Sequence, residues 1–221
     1  MILYHGTSDT FLPYILENGI EPRGKTRNPG NWEHTIQSAR DRVYLTDAYA
    51  PYFAEAAAST GGNPIVFAVD TNKISNLLVP DEDALEQVNR IQDKIGKLTK
   101  KEMIKRTREF QREAEWFQKS GSFTYENSLA TLGTCACVGS IDPKAILGYY
   151  TLQKGKSWQV WDPTITPLNY HFMKTFYRFA SEVAWTGKAT TELSEIDKLR
   201  WQTDPVETIN SLIVDRKVLH A

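Results

Sequence analysis

Cysteine is nearly absent from this chain: Cys135 and Cys137 are the only two in 221 residues. That excludes a disulfide-stapled secreted scaffold. Two positions apart on a strand, the pair points the same way and is badly placed for a disulfide. Without a nearby histidine or further cysteines it is a poor zinc site, so no metal is expected. Both thiols are expected to be reduced and structural; Cys–His nucleophilic catalysis has only the residue types in its favour. Long apolar runs are missing too. Nothing approaches the roughly 20 residues that span a bilayer. His5-Gly6 also interrupts the first apolar run too early for a signal peptide. The expectation is a cytoplasmic protein without a membrane partner. Nor is there an excess of one charge: 26 Lys and Arg face 27 Asp and Glu, a net charge of −1. No global basic field marks a nucleic-acid binder, so that role would need a local patch. The chain also lacks G-x-G-x-x-G, a Walker loop, H-E-x-x-H and G-x-S-x-G, which closes the familiar dinucleotide, nucleoside-triphosphate, zinc-protease and serine-hydrolase routes.

What is present begins at the first residue. Met1-Ile2-Leu3-Tyr4-His5-Gly6-Thr7-Ser8 reads as a short buried strand. Its exit carries an imidazole, a glycine that lets a ligand approach the backbone, and two hydroxyls. Such an arrangement suits a polar small molecule held against a sheet. A hydrogen-bonded core histidine beside a turn glycine fits the same octapeptide. Ser8 or Thr10 caps a helix with Phe11, Leu12, Ile15 and Leu16 on one face, and Asn18-Gly19 stops it. A polar loop from Pro22 to about Arg42 follows, carrying Trp32 and His34; loops this long are usually functional or mobile.

Val43-Tyr44-Leu45-Thr46 reads as a second strand, with Asp47 capping a helix through Tyr52 and Ala54–Ala58 that ends at Gly61-Gly62. Ile65–Asp70 is almost wholly apolar and should be a central strand covered on both faces. Leu77-Leu78-Val79 is a further short strand. From Asp81 to about Gln118 a charged helical insertion keeps an apolar face at Leu85, Val88, Ile91, Ile95 and Leu98, and breaks near Gly96 and Thr99. Ten Lys or Arg lie between Arg90 and Lys119. A solvated helical face accounts for them, and so does a phosphate-contacting surface. Ser128–Val138 and Ile146–Leu152 return to strand character around an Asp142-Pro143-Lys144 turn. Beyond a linker bearing Trp158 and Trp161, Phe172, Phe176 and Phe179 recur at helical spacing as a core stripe, and the tail with Trp201 and Ile209–Val214 packs back as another element.

Three stretches stand out in order: Tyr4-His5-Gly6-Thr7-Ser8, Val43-Tyr44-Leu45-Thr46 with its alanine-rich helix, and the strand leading into Val138-Gly139-Ser140-Ile141-Asp142-Pro143. Together they resemble the ADP-ribosyltransferase fold of poly(ADP-ribose) polymerases, diphtheria-type toxins, DarT enzymes and RNA 2′-phosphotransferases, in particular its phage and bacterial members. The resemblance covers residues 1–152. It implies an α+β fold, a split sheet with flanking helices and a helical insertion at about 81–118, and leaves 153–221 as a C-terminal extension. It also implies NAD as substrate. His5 would bind the nicotinamide-side ribose, the Gly6 backbone the carboxamide, and Thr7 would support the strand exit. Tyr44 would lie on the second motif strand, and Tyr52 would stack on the nicotinamide. Breaking the nicotinamide–ribose bond builds positive charge on the ribose, so aromatic stacking and paired hydrogen bonds must orient the leaving group.

One departure stands out. Polymerase-like and toxin members supply a glutamate where this chain has Thr131-Leu132-Gly133-Thr134. Glu126, a few residues upstream, is the carboxylate placed to reach in from the loop as the third catalytic candidate beside His5 and Tyr44. RNA 2′-phosphotransferases lack this glutamate as well. Two functions follow: an NAD-using ADP-ribosyltransferase or related phosphotransferase acting on a macromolecule, with nucleic acid as acceptor through the basic stretch, or a catalytically inactive nucleotide-binding or protein-interaction module on the same fold.

Overall fold

Alternation of Leu3, His5 and Thr7 against Tyr4, Gly6 and Ser8 lets the first residues form strand β1 (Ile2–Ser8) with a buried residue on either face. In the computed structural model, which describes residues 1–26, 38–93, 99–155, 170–195 and 204–219, six more strands follow. They are β2 (Arg42–Thr46), β3 (Pro64–Asp70), β4 (Leu78–Pro80), β5 (Thr134–Val138), β6 (Ile146–Leu152) and β7 (Ile213–Val218). The helices are α1 (Leu12–Asn18), α2 (Arg23–Thr26), α3 (Ala50–Ala58), α4 (Glu82–Asp93), α5 (Lys100–Ser120), α6 (Tyr125–Thr131), α7 (Tyr170–Thr186) and α8 (Pro205–Ser211). The protein is α+β, with an open antiparallel sheet in the order β4-β5-β2-β1-β3-β6-β7. Among the described residues no helix is long and apolar enough to cross a membrane. Trp32, His34, Trp158, Trp161 and Trp201 lie outside the described residues.

The chain divides into two compact units that interleave along the sequence. The first holds Met1–Glu17, Thr46–Lys73 and Pro143–Ala221. There β1 pairs with β3 along its whole length, from Ile2 opposite Asp70 to Ser8 opposite Pro64, and β3 pairs in turn with β6, and β6 with β7. The unbroken apolar run of β3 matches its place: every residue from Pro64 to Val69 is buried. One face of this unit packs Tyr4, Val66, Ala68, Tyr150 and Leu152 under α3, α7 and α8, with Phe176, Phe179 and Val183 of α7 filling the layer. Phe176 and Phe179 of the expected aromatic stripe are therefore core, and the Phe172 side chain lies outside the described residues.

The second unit holds Asn18–Leu45 and Ile74–Asp142. Its strands run β4-β5-β2, with Pro80 opposite Cys135 and Leu78 opposite Cys137. Both cysteines are buried and unbridged, and burial pushes the Cys137 thiol up to about 11. Val79 and Ala136 pack against Leu85 of α4 and against Phe110 and Ala114 of α5.

Several elements differ from the sequence expectation, each for a local reason. Ser8 does cap, taking the Thr10 N–H, but it caps a short 3₁₀ turn that runs into α1; Ile15 is buried there and Leu16 is 36% exposed. Asp47 does not cap α3. The Thr46 hydroxyl takes the Ala48 and Tyr49 N–H groups at 3.0 and 2.9 Å, and the Asp47 carboxylate pairs with Arg178 instead. Ser128–Thr131, read as the start of a strand, belongs to α6. Thr124 and Asn127 cap each other's backbone N–H groups, and Gly133, at φ 85°, turns the chain out of the helix so that β5 starts at Thr134. The expected break between α4 and α5 falls at Thr99, which makes a capping box with Glu102.

Candidate functional site

In the first unit the motif strand is clamped from one side. A Cβ on Gly6 would collide with the Ala50 carbonyl oxygen and come within 2.6 Å of the Ala54 amide nitrogen. Glycine here lets α3 lie against the backbone of β1, so the close approach foreseen at this residue is made by a helix. The alanines of α3 serve the same end: Ala50, Ala54 and Ala58 are fully buried. His5 leaves β1 on the opposite face, half-buried, with buried Thr7 beside it. Across the sheet His5 stands opposite Phe67, and Phe67 opposite Tyr149, whose rings lie 5.8 Å apart. This aromatic row was not foreseen, because the pairing of β3 with β6 brings together residues 82 apart in sequence. Tyr52 projects from α3, its ring 5.7 Å from that of Phe53.

The same unit holds a cavity of about 360 Å³, lined among others by Ile2, Tyr4, Asp47, Arg178, Glu182 and Trp185. It lies at the lower end of ligand-pocket sizes. Burial raises the Asp47 carboxyl above its ordinary value despite the Arg178 guanidinium beside it and Lys174 nearby. Burial, and then the carboxylates of Glu182 and Asp47, push the Tyr4 phenol well up, so this hydroxyl keeps its proton. Glu182 is occupied by the backbone and hydroxyl groups of Thr190 and Thr191. Neither Asp47 nor Arg178 had been singled out for this role, because the partner lies 131 residues away in sequence.

Tyr44 and Glu126 belong to the second unit. The Tyr44 hydroxyl accepts the Ala39 N–H at 2.8 Å and donates to Glu82 at 2.5 Å, and Gln111 donates to the same Glu82 oxygen at 2.9 Å. Burial, then the charges of Glu82 and Asp81, hold this phenol protonated. Glu126, expected in a loop, sits exposed in the first turn of α6. Partial burial opposes its charge, but hydrogen bonds from Thr124, its own backbone and Tyr125 outweigh that and hold the carboxyl low. At the start of α4 two buried carboxyls, Asp81 and Glu82, stand beside the exposed Asp83. Burial, then Glu82 and Asp83, lifts Asp81 to about 8; Asp83 rises to about 6 through burial and the charges of Glu82 and Glu86.

No protein-family model matches the chain, and no curated protein matches it.

Proposed function

We propose that the protein is an NAD-using transferase of the ADP-ribosyltransferase type, built on the split-sheet variant of its α+β fold, that passes ADP-ribose to a macromolecule or phosphate to NAD. The reading rests on His5: a half-buried imidazole on a central strand, followed by Gly6-Thr7 and fixed from behind by α3. A strand held this firmly gives a ligand-binding imidazole a defined position, which orientation of the nicotinamide leaving group requires. On this reading His5 binds the ribose, Thr7 supports it, and the Phe67–Tyr149 row supplies apolar surface beside it. The experiment is release of nicotinamide from labelled NAD, alone and with RNA, DNA or cell lysate, by the full chain and by His5→Ala.

A second reading, a nucleotide-binding module without turnover, is favoured by one observation. Strand β5 (Thr134–Val138) carries no carboxylate, and Glu126 lies exposed on a helix. NAD binding in a calorimeter without nicotinamide release would support it over the transferase.

A further inference from the structure

Helix α5 has a sharply divided surface. Thr107, Phe110 and Ala114 are buried, and Phe117 packs with them. On the opposite side, Lys101, Lys105, Arg108, Arg112, Trp116 and Lys119 follow one another at steps of three or four residues, which places them in a single stripe. All six are exposed. At 1.5 Å per residue the stripe is about 27 Å long. The helix's four glutamates lie off this line, at Glu102, Glu109, Glu113 and Glu115.

A merely solvated face mixes signs and pairs its charges along the helix. Here Lys105 and Lys119 have such partners, Glu109 at 3.8 Å and Glu115 at 3.1 Å. Lys101, Arg108 and Arg112 have no carboxylate partner among the described residues. A solvated face also gives no reason for Trp116, which is 61% exposed and steadied by an edge-on contact with Phe117 at 5.1 Å between ring centroids. Cations in file with an exposed aromatic ring match a strand of phosphates with accessible base faces. Not every cation of α5 belongs to the stripe. Arg106 does not belong to it, because its guanidinium turns over the Phe110 ring at 5.8 Å.

We propose that this face of α5 docks single-stranded nucleic acid, the cations on phosphates and Trp116 stacked on an unpaired base. As the identity of the acceptor this rests on the transferase reading; as a binding surface it stands without it. The stripe reads backbone and base faces, so the strand's sequence matters little.

The test is fluorescence anisotropy of a labelled 20-mer of thymidylate with the full chain, titrated at several salt concentrations. Wild type should bind, with affinity falling as salt rises. Removing two phosphate contacts in Arg108→Ala/Arg112→Ala should flatten the log–log salt slope by about 1.4, at roughly 0.7 per contact for a single strand. Trp116→Ala should weaken binding about tenfold and leave the slope unchanged, with Trp116→Phe falling between it and wild type. A duplex of equal length should bind more weakly, since its bases are already stacked. All substituted side chains are exposed, and matching thermal unfolding of the variants verifies that they fold. Absence of binding at low salt, equal slopes for wild type and the double arginine variant, indifference to Trp116→Ala, or tighter binding to the duplex would each overturn the proposal. Nicotinamide release is scored separately. Binding with no release sinks the transferase and keeps the docking surface, whereas release without binding does the reverse; His5→Ala should leave the anisotropy unchanged.

Discussion

Gly6 has to be glycine for a reason fixed by packing, independent of any ligand. Gly6→Ala should destabilise the protein by about 1–3 kcal/mol, because the new methyl meets helix backbone that cannot rotate away. The urea midpoint measures this, and an unchanged midpoint would mean that α3 does not press on β1. Tyr44 tells a comparable story. It lies on strand β2 as expected, and its hydroxyl is given to Glu82 and accepts the Ala39 N–H. Tyr44→Phe should cost roughly 1–3 kcal/mol by leaving a buried N–H and carboxylate short of a partner. Denaturation of the variant tests it; a neutral result would show that water replaces the phenol freely. The sequence could name both residues as special but could not say why. The helix that fills the space over Gly6 begins 44 residues later, and the carboxylate that holds Tyr44 lies 38 residues on.

At the scale of elements, the start of α4 makes stability depend on pH. Burial, then Glu82 and Asp83, holds the Asp81 carboxyl at about 8, against 3.8 for a free aspartate. The folded state therefore keeps a proton that the unfolded chain has lost. This contribution is complete below pH 4 and disappears as the pH rises through 8. The urea midpoint should fall from pH 5 to 8.5, and Asp81→Asn should flatten that fall; a midpoint that rises over this range in wild type would contradict the assignment. Strands were the most legible elements. The apolar run of β3 and the Leu-Tyr-His-Gly pattern of β1 carry their own period, and both form as read. Helix α6 was missed because Ser-Leu-Ala-Thr-Leu satisfies either period. What decides it is local capping by Thr124 and Asn127, together with Ser128, whose hydroxyl takes the Asp81 N–H at 2.9 Å and donates to the Thr134 carbonyl at 2.8 Å. Asp47 was misassigned as a cap for the opposite reason: Thr46 was nearer the orphan N–H groups, and a distant arginine was invisible.

For the whole molecule, the strand order puts β1 inside the sheet with its histidine half-buried, and the central claim is that this imidazole serves NAD turnover. Nicotinamide release from labelled NAD, for wild type and His5→Ala side by side, tests that claim most directly. The two proteins are assayed alone and with single-stranded oligonucleotide, RNA and lysate, their folding matched by thermal unfolding. The account predicts release by wild type in at least one of these mixtures and a fall of at least a hundredfold, to background, in His5→Ala, roughly 2.7 kcal/mol of lost transition-state stabilisation. Release that persists unchanged in His5→Ala, or no release by wild type in any mixture, would contradict it.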